Sequence, residues 1–197
     1  MARRKASETK FLKEKILEGA IEIISTRGVK MLTARNVAEV IGYAPGTIYN
    51  FYRDMDDLVT EVNYATLCKL EGNCRACVAG LPNDMNKVRA LALAYVNFAN
   101  DNQNEWETLF AGSRQKHLLP DAYKKRVIDI FNFIEMSIIE CVPIPPAEAD
   151  STARLLWAAL HGITILMLDG RLKLTGADDP HALIEDLLKK HFSSFVN

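Results

Sequence analysis

"TARNVAEVIGYAPGTIYNFYRDMDDL", residues 33–58, sets a glycine and a proline between two runs of helical periodicity. Val37, Ala38 and Ile41 recur at the spacing of one helical face, and Thr33 in front of them offers a side-chain oxygen to cap that helix. Gly42 ends it. Pro45 has no amide hydrogen to lose at a first helical position, so it opens a third short helix that runs to about Tyr52 with Ile48 pointing inward. Helix, short glycine turn, helix is the shape of a helix-turn-helix unit.

Working outward, the same periodicity continues on both sides. Upstream, Phe11, Leu12, Ile16, Ala20, Ile23 and Ile24 mark a helix from about residue 8 to 27, where Arg27 and Gly28 supply a last-turn cation and a left-handed stop. Downstream, Asp54 or Asp56 caps a long helix to about Ala79, which Gly80 and Pro82 end. Further helices follow over about 84–101, 103–113, 120–141, 149–173 and 180–195, the last opened by Asp179 and Pro180. VPIPPAE, residues 142–148, reads as a rigid break because its three prolines favour extended backbone. The expected class is all-α, with about nine helices.

Composition limits what such a chain can be. At 197 residues and 49% hydrophobic content it can bury a full core. No uninterrupted apolar run approaches the roughly 20 residues of a membrane span, and the start MARRKASETKFLKEK lacks the apolar segment of a signal peptide, so a cytoplasmic location is expected. Cys68, Cys74, Cys77 and Cys141 are too few and too clustered for a disulfide frame. The net charge of −1 hides a polarity: residues 1–53 carry +5 and residues 54–197 carry −6. A basic head on an acidic body points to a polyanion-binding segment joined to a part with other work.

The exposed residues of 33–53 suit DNA. A helix-turn-helix places its second helix in the major groove while the first crosses the backbone. Arg35 can reach a phosphate or a guanine edge, Thr47 and Asn50 can hydrogen-bond to phosphates or bases, and Tyr43 and Tyr49 carry hydroxyls on rigid arms. The competing reading makes them turn and packing residues of an ordinary bundle. Enzyme chemistry has little support: there is no Gly-rich phosphate loop, HExxH or GxSxG, and His117, His161, His181 and His191 lie in scattered contexts. The Cys74/Cys77 pair lacks two further ligands for zinc, so no metal and no cofactor are expected, and these thiols read as small packing groups or, alternatively, a redox sensor.

Residues 8–58 resemble the DNA-binding domain of the TetR family of transcriptional regulators. The capping Thr33, buried Val37-Ala38, turn Gly42, the run Gly46-Thr47-Ile48-Tyr49 and the later Leu58 match the family pattern in order. Trp157, His161 and Gly162, with YVNFANDNQNEWETLF at 95–110, are similar to one subgroup of its C-terminal domains. The resemblance implies an N-terminal three-helix DNA-binding domain at 1–53 and a larger ligand-binding and dimerisation domain at 54–197. It also implies DNA contacts by Thr33, Arg35, Tyr43, Ala44, Thr47, Tyr49 and Asn50. Phe51 and Met55 stand where the family usually has His and Lys on phosphates, and Arg53 with Arg3, Arg4 and Lys5 is expected to compensate.

A head of this kind reads a near-palindromic site as a pair, with half-sites about 34–36 Å apart. Leu155, Leu156, Ala159, Leu160, Ile163 and Leu166, together with Phe192 and Phe195, are the candidate homodimer face. For a small-molecule effector the candidates are Trp106, Phe110, His117, Phe131, Trp157, His161 and Met167, each of which could equally be packing. The expected function is a ligand-responsive regulator, a repressor released from a palindromic operator by a small molecule. The alternative is an all-α small-molecule-binding or enzymatic protein with a vestigial DNA-binding head.

Overall fold

The computed structural model describes residues 2–111, 119–177, 179–193 and 195, and side chains from residue 7 onward. Among the described residues eight α-helices follow one another: α1 (Ala2–Arg27), α2 (Ala34–Ile41), α3 (Met55–Val78), α4 (Met85–Asp101), α5 (Gln103–Phe110), α6 (Asp121–Cys141), α7 (Pro146–Leu168) and α8 (Pro180–Phe192). Three 3-10 segments, Val29–Met31, Pro45–Asn50 and Leu172–Thr175, lie between them, and no strand occurs among the described residues. The all-α expectation holds.

Local chemistry places the ends. The Thr33 hydroxyl accepts the Asn36 N–H at 3.1 Å, satisfying one of the free donors at the start of α2. Gly42 has φ 75° and ψ 36°; its N–H donates to Glu39 O at 3.4 Å and the Tyr43 N–H donates to Ala38 O at 2.9 Å. Those two bonds are a Schellman motif, which needs a left-handed residue and so favours glycine. The Asp179 carboxylate accepts the His181 N–H at 2.8 Å to cap α8, and Pro180 occupies its first turn.

Three expectations are revised. Gly28 has positive φ but ψ 163°, a region open essentially to glycine alone rather than the left-handed helical stop; it redirects the chain into the Val29–Met31 turn. Residues 45–50 form a 3-10 segment and not an α-helix. The proline-rich break is shorter than expected because Pro146 sits at the first turn of α7, where its fixed φ is pre-organised.

The chain divides into two compact units. The first comprises Met1–Leu67 and Asn102–Pro120; the second comprises Cys68–Asp101 and Asp121–Asn197. In the first, Ile16, Ala20, Ile23 and Ile24 of α1 meet Val37 and Ile41 of α2, Ile48, and Leu58 and Val62 of α3 in one buried cluster. The sequence boundary after Arg53 marks the start of α3, but burial of Leu58 and Val62 carries the first turns of that helix into this core. α1 and α2 cross closely at Gly19, where a Cβ would lie 2.8 Å from Ile41 Cγ2. α5 joins through the Asn104 amide, which donates to Ser25 O at 2.9 Å, and the Asn63 amide, which donates to Thr108 O at 3.2 Å.

In the second unit α4 packs against α6, α7 and α8, burying Val88, Leu91, Tyr95 and Phe98 with Ala153, Leu156, Leu160, Ile184, Leu188 and Phe192. Glu71, near the middle of α3, is buried in this unit and accepts from Arg75 Nε at 2.9 Å and Arg126 Nη1 at 2.5 Å. α7 is, among the described residues, the helix long and apolar enough to cross a membrane by length and composition; one side of it is the core of this unit.

Candidate nucleic-acid interface and effector body

From the end of α2 to the start of α3, Tyr43, Tyr49 and Asn50 turn outward while Ile48 and Tyr52 turn into the core. Ile48 is fully buried, while Tyr43 and Tyr49 are 44% and 55% exposed. Thr33, Arg35, Ala44, Asn50 and Arg53 are exposed, and Thr47 is half-buried. All eight residues expected to face DNA therefore lie in the first unit, and seven are open. Ile48 alone of Pro45–Asn50 is buried, so the segment leans on the core by one side chain and presents the rest. At Gly46 a Cβ would meet nothing within 4 Å, which leaves the backbone there open to close approach.

Phe51 and Met55, the two departures from the family pattern, have a structural use. Both are half-buried and pack against the head's core. Arg53, expected to replace the missing cations, is already engaged: its Nη2 lies 3.0 Å from Asp57 Oδ1 and its Nε 3.6 Å from Asp54 Oδ2. Asp57 also accepts the Arg53 N–H at 3.2 Å, and Asp54 accepts the Asp57 N–H at 2.8 Å, capping α3. A phosphate must compete with these carboxylates for the guanidinium. Arg3, Arg4 and Lys5 lie outside the described side chains.

Behind this face, Lys13 of α1 pairs with Glu61 of α3 at 2.9 Å and lies 5.6 Å from the Tyr52 ring centroid. Tyr52 is buried. Burial, and then the neighbouring Glu61 carboxylate, push its hydroxyl far above the usual tyrosine range, so it stays protonated.

The effector candidates separate by unit. In the first, Trp106 and Phe110 of α5 meet with ring centroids 4.9 Å apart; His117 lies outside the described residues. In the second, Phe131 of α6 stands edge-on to Trp157 of α7 at 5.6 Å, and Trp157 stacks on His161 at 5.5 Å. His161 Nδ1 is 2.9 Å from the Tyr95 hydroxyl of α4, and burial lowers the imidazole pKa below its usual 6.5. Met167 is half-buried on α7. Phe131, Trp157 and His161 thus form a contiguous aromatic group, closed at one end by Tyr95 and at the other by the Arg154 guanidinium, 5.4 Å from the Phe131 centroid.

The dimer candidates require a correction. Leu156, Leu160, Ile163 and Phe192 are buried within the single chain, because that side of α7 and α8 packs in the second unit's own core. Ala159 and Phe195 are half-buried. The open side of α7 instead carries Leu155, Ala158, Gly162, Ile165 and Leu166, with Leu155 61% exposed. Their spacing of three or four residues makes one stripe.

Residues 16–62 match the model of the bacterial regulatory proteins of the tetR family. Residues 88–191, more than half the chain, match the tetracyclin repressor-like C-terminal domain. The chain belongs to the tetR family. It is a DNA-binding transcriptional regulator of the helix-turn-helix type, and this assignment points away from an enzyme. Solved structures agree in fold. A protein of unknown function from Rhodococcus sp. RHA1 superposes with a TM-score of 0.77 at 18% identity, covering 94% of this chain and 96% of that one. A transcriptional regulator from Saccharomonospora viridis in complex with choline gives 0.73 at 19% identity, over 91% and 96%. A TetR regulator from Rhodococcus sp. RHA1 gives 0.64 at 20% identity, over 92% and 97%. No curated protein sequence matches.

Several residues of this tetR-family chain that carry geometry escaped the sequence reading. Tyr95, which holds His161, and Arg126, which holds Glu71, lie 66 and 55 residues from their partners, so no local pattern announces them. Asp57 sits four residues from Arg53 and was within reach of an i, i+4 argument. Cys74 is buried, and desolvation pushes its thiol up to about 12, which favours the packing reading over a thiolate. Among the described residues no group of His, Cys, Asp and Glu is placed to hold a metal ion.

Proposed function

We propose that this tetR-family regulator binds a near-palindromic operator as a homodimer in the cytoplasm, represses from it, and is released by a small molecule. Residues 1–53 supply the DNA-reading head and residues 54–197 the effector-binding and dimerising body. The observation that carries the DNA assignment is the segment Pro45–Asn50, anchored by Ile48 alone with Tyr49 and Asn50 left open. Thr33, Arg35, Tyr43, Ala44, Thr47 and Arg53 complete the face. Dimerisation is supported by the exposed stripe of Leu155, Ala158, Gly162, Ile165 and Leu166 on α7 and by exposed Leu183 on α8. Two helices per protomer meeting in a four-helix contact cover such a stripe, and pairing gives the half-site spacing a palindrome needs.

The effector is held by apolar and aromatic side chains with few polar groups, for which Phe131, Trp157, His161 and Met167 of the second unit are the candidates. The choline found with the Saccharomonospora viridis regulator supports a small-molecule effector here too. Effector and operator are linked through one coupling free energy, so DNA weakens effector binding by the same factor that effector weakens DNA binding.

Selection from random duplex DNA, followed by sedimentation of the complex, tests this reading. The expected result is an enriched near-palindrome bound by two protomers, with Leu155→Glu yielding a monomer that loses the site. Selection without any sequence preference, from a protein that remains folded, overturns it.

A further inference from the structure

We propose that Lys15 of α1 is a phosphate-binding residue of the DNA face, placed there by the ring of Tyr43. The inference rests on the DNA-binding reading above and adds a residue from outside the helix-turn-helix. Lys15 Nζ lies 5.2 Å from the Tyr43 ring centroid. Tyr43 is itself part of the exposed turn, and its backbone is held by the Schellman bond from its N–H to Ala38 O. The main chain that carries the ring is therefore held, and the ammonium over the ring lies beside the turn that presents Ala44.

Charge pairing within the first unit leaves this cation available, and the Tyr43 ring beside it sets it apart. Lys10 pairs with Glu14, Lys13 with Glu61 and Arg53 with Asp57. Lys15 has Glu14 beside it and Glu18 one turn ahead in sequence, yet among the described residues it forms no ion pair and lies on the aromatic ring instead. An aromatic face attracts an ammonium without neutralising it and engages only one side of the group. Its remaining N–H donors stay available to an anion. A phosphate reaching Arg53 must displace two carboxylates; a phosphate reaching Lys15 displaces water. With apolar Phe51 and Met55 turned to the core, a cation on α1 supplies part of the backbone contact that the start of α3 does not.

The test measures anisotropy of a labelled mixed-sequence duplex as salt is raised from about 50 to about 200 mM. Each phosphate contact contributes about 0.9 to the log–log slope. Lys15→Gln is expected to lower the slope by about 0.9 per bound protomer and affinity about fivefold to tenfold. Lys10→Gln makes the same charge change at a paired lysine and should alter the slope much less. The Lys15→Gln effect should persist in a Tyr43→Phe background and shrink in a Tyr43→Leu background. Equal effects at Lys10 and Lys15, or an unchanged slope in Lys15→Gln, overturn the assignment while leaving DNA binding intact. A wild-type protein that shows no salt-dependent binding to any duplex overturns both.

Discussion

The head and the body of this regulator reach their geometry by different routes. In residues 33–53 the position of each functional group follows from neighbours a few residues away: Thr33 caps α2, Gly42 closes it, and one buried side chain anchors the Pro45–Asn50 segment. In the body, the groups that matter meet across long separations. Glu71 binds Arg126 of α6, and Tyr95 of α4 binds His161 of α7. Local rules placed the first region, whereas packing of whole helices placed the second.

The sharpest way to break this contrast is to remove the single anchor. Ile48→Ala deletes a fully buried side chain and should cost about 3 kcal/mol in denaturant unfolding of the head, with loss of DNA binding. Retention of both would mean that the local caps suffice without the core. In the body the corresponding contact is ionic. Burial alone would raise the Glu71 pKa, but Arg126 and then Arg75 outweigh it and hold the carboxyl below 4.5. Glu71→Ala leaves two guanidinium groups facing each other's charge in a partly desolvated site. Since Arg75 is half exposed, the cost is about 2 kcal/mol, below that of a fully buried pair.

Gly42→Ala keeps every head side chain and strains only the backbone at φ 75°. About 1 kcal/mol is expected by thermal melting, with weaker DNA affinity because Tyr43 loses its fixed setting. The smallest effect is one of pH. Burial depresses both His161 and His191 below 6.5, so on acidification the unfolded chain takes up protons first. Stability is fully present above pH 6.5 and declines as pH falls through that value towards the folded-state values. Urea midpoints at about pH 7.5 and about pH 5.5 should differ in this direction. His161→Asn should reduce the difference; an unaltered dependence would assign it to other groups.

Much of the head was legible because its signals are short-range. The Thr33 cap, the Gly42 turn, Pro45 and inward Ile48 all stand where the spacing implied, and seven of the eight residues offered to DNA are open. The 3-10 form of 45–50 was not legible, since i+3 and i+4 bonding look alike in so short an apolar pattern. The role of Phe51 and Met55 was also hidden: their apolar character was visible, but only packing reveals that they brace the core. On α7 the apolar residues are so continuous that periodicity could not separate an inner from an outer side. Leu156, Leu160 and Ile163 consequently looked equivalent to Leu155 and Leu166 until the neighbours were known.

The amino-acid sequence was enough for the all-helical class, the Thr33, Gly42 and Asp179 caps, the helix-turn-helix and the division of charge between head and body, because caps, turns and 3.6-residue periodicity act within a few residues. Only the packing of whole helices set which side of α7 is open, that Lys15 lies on Tyr43, and that His161 answers to Tyr95. Those pairings depend on which helices pack together and at what angle, and burial energy summed over many contacts sets that choice.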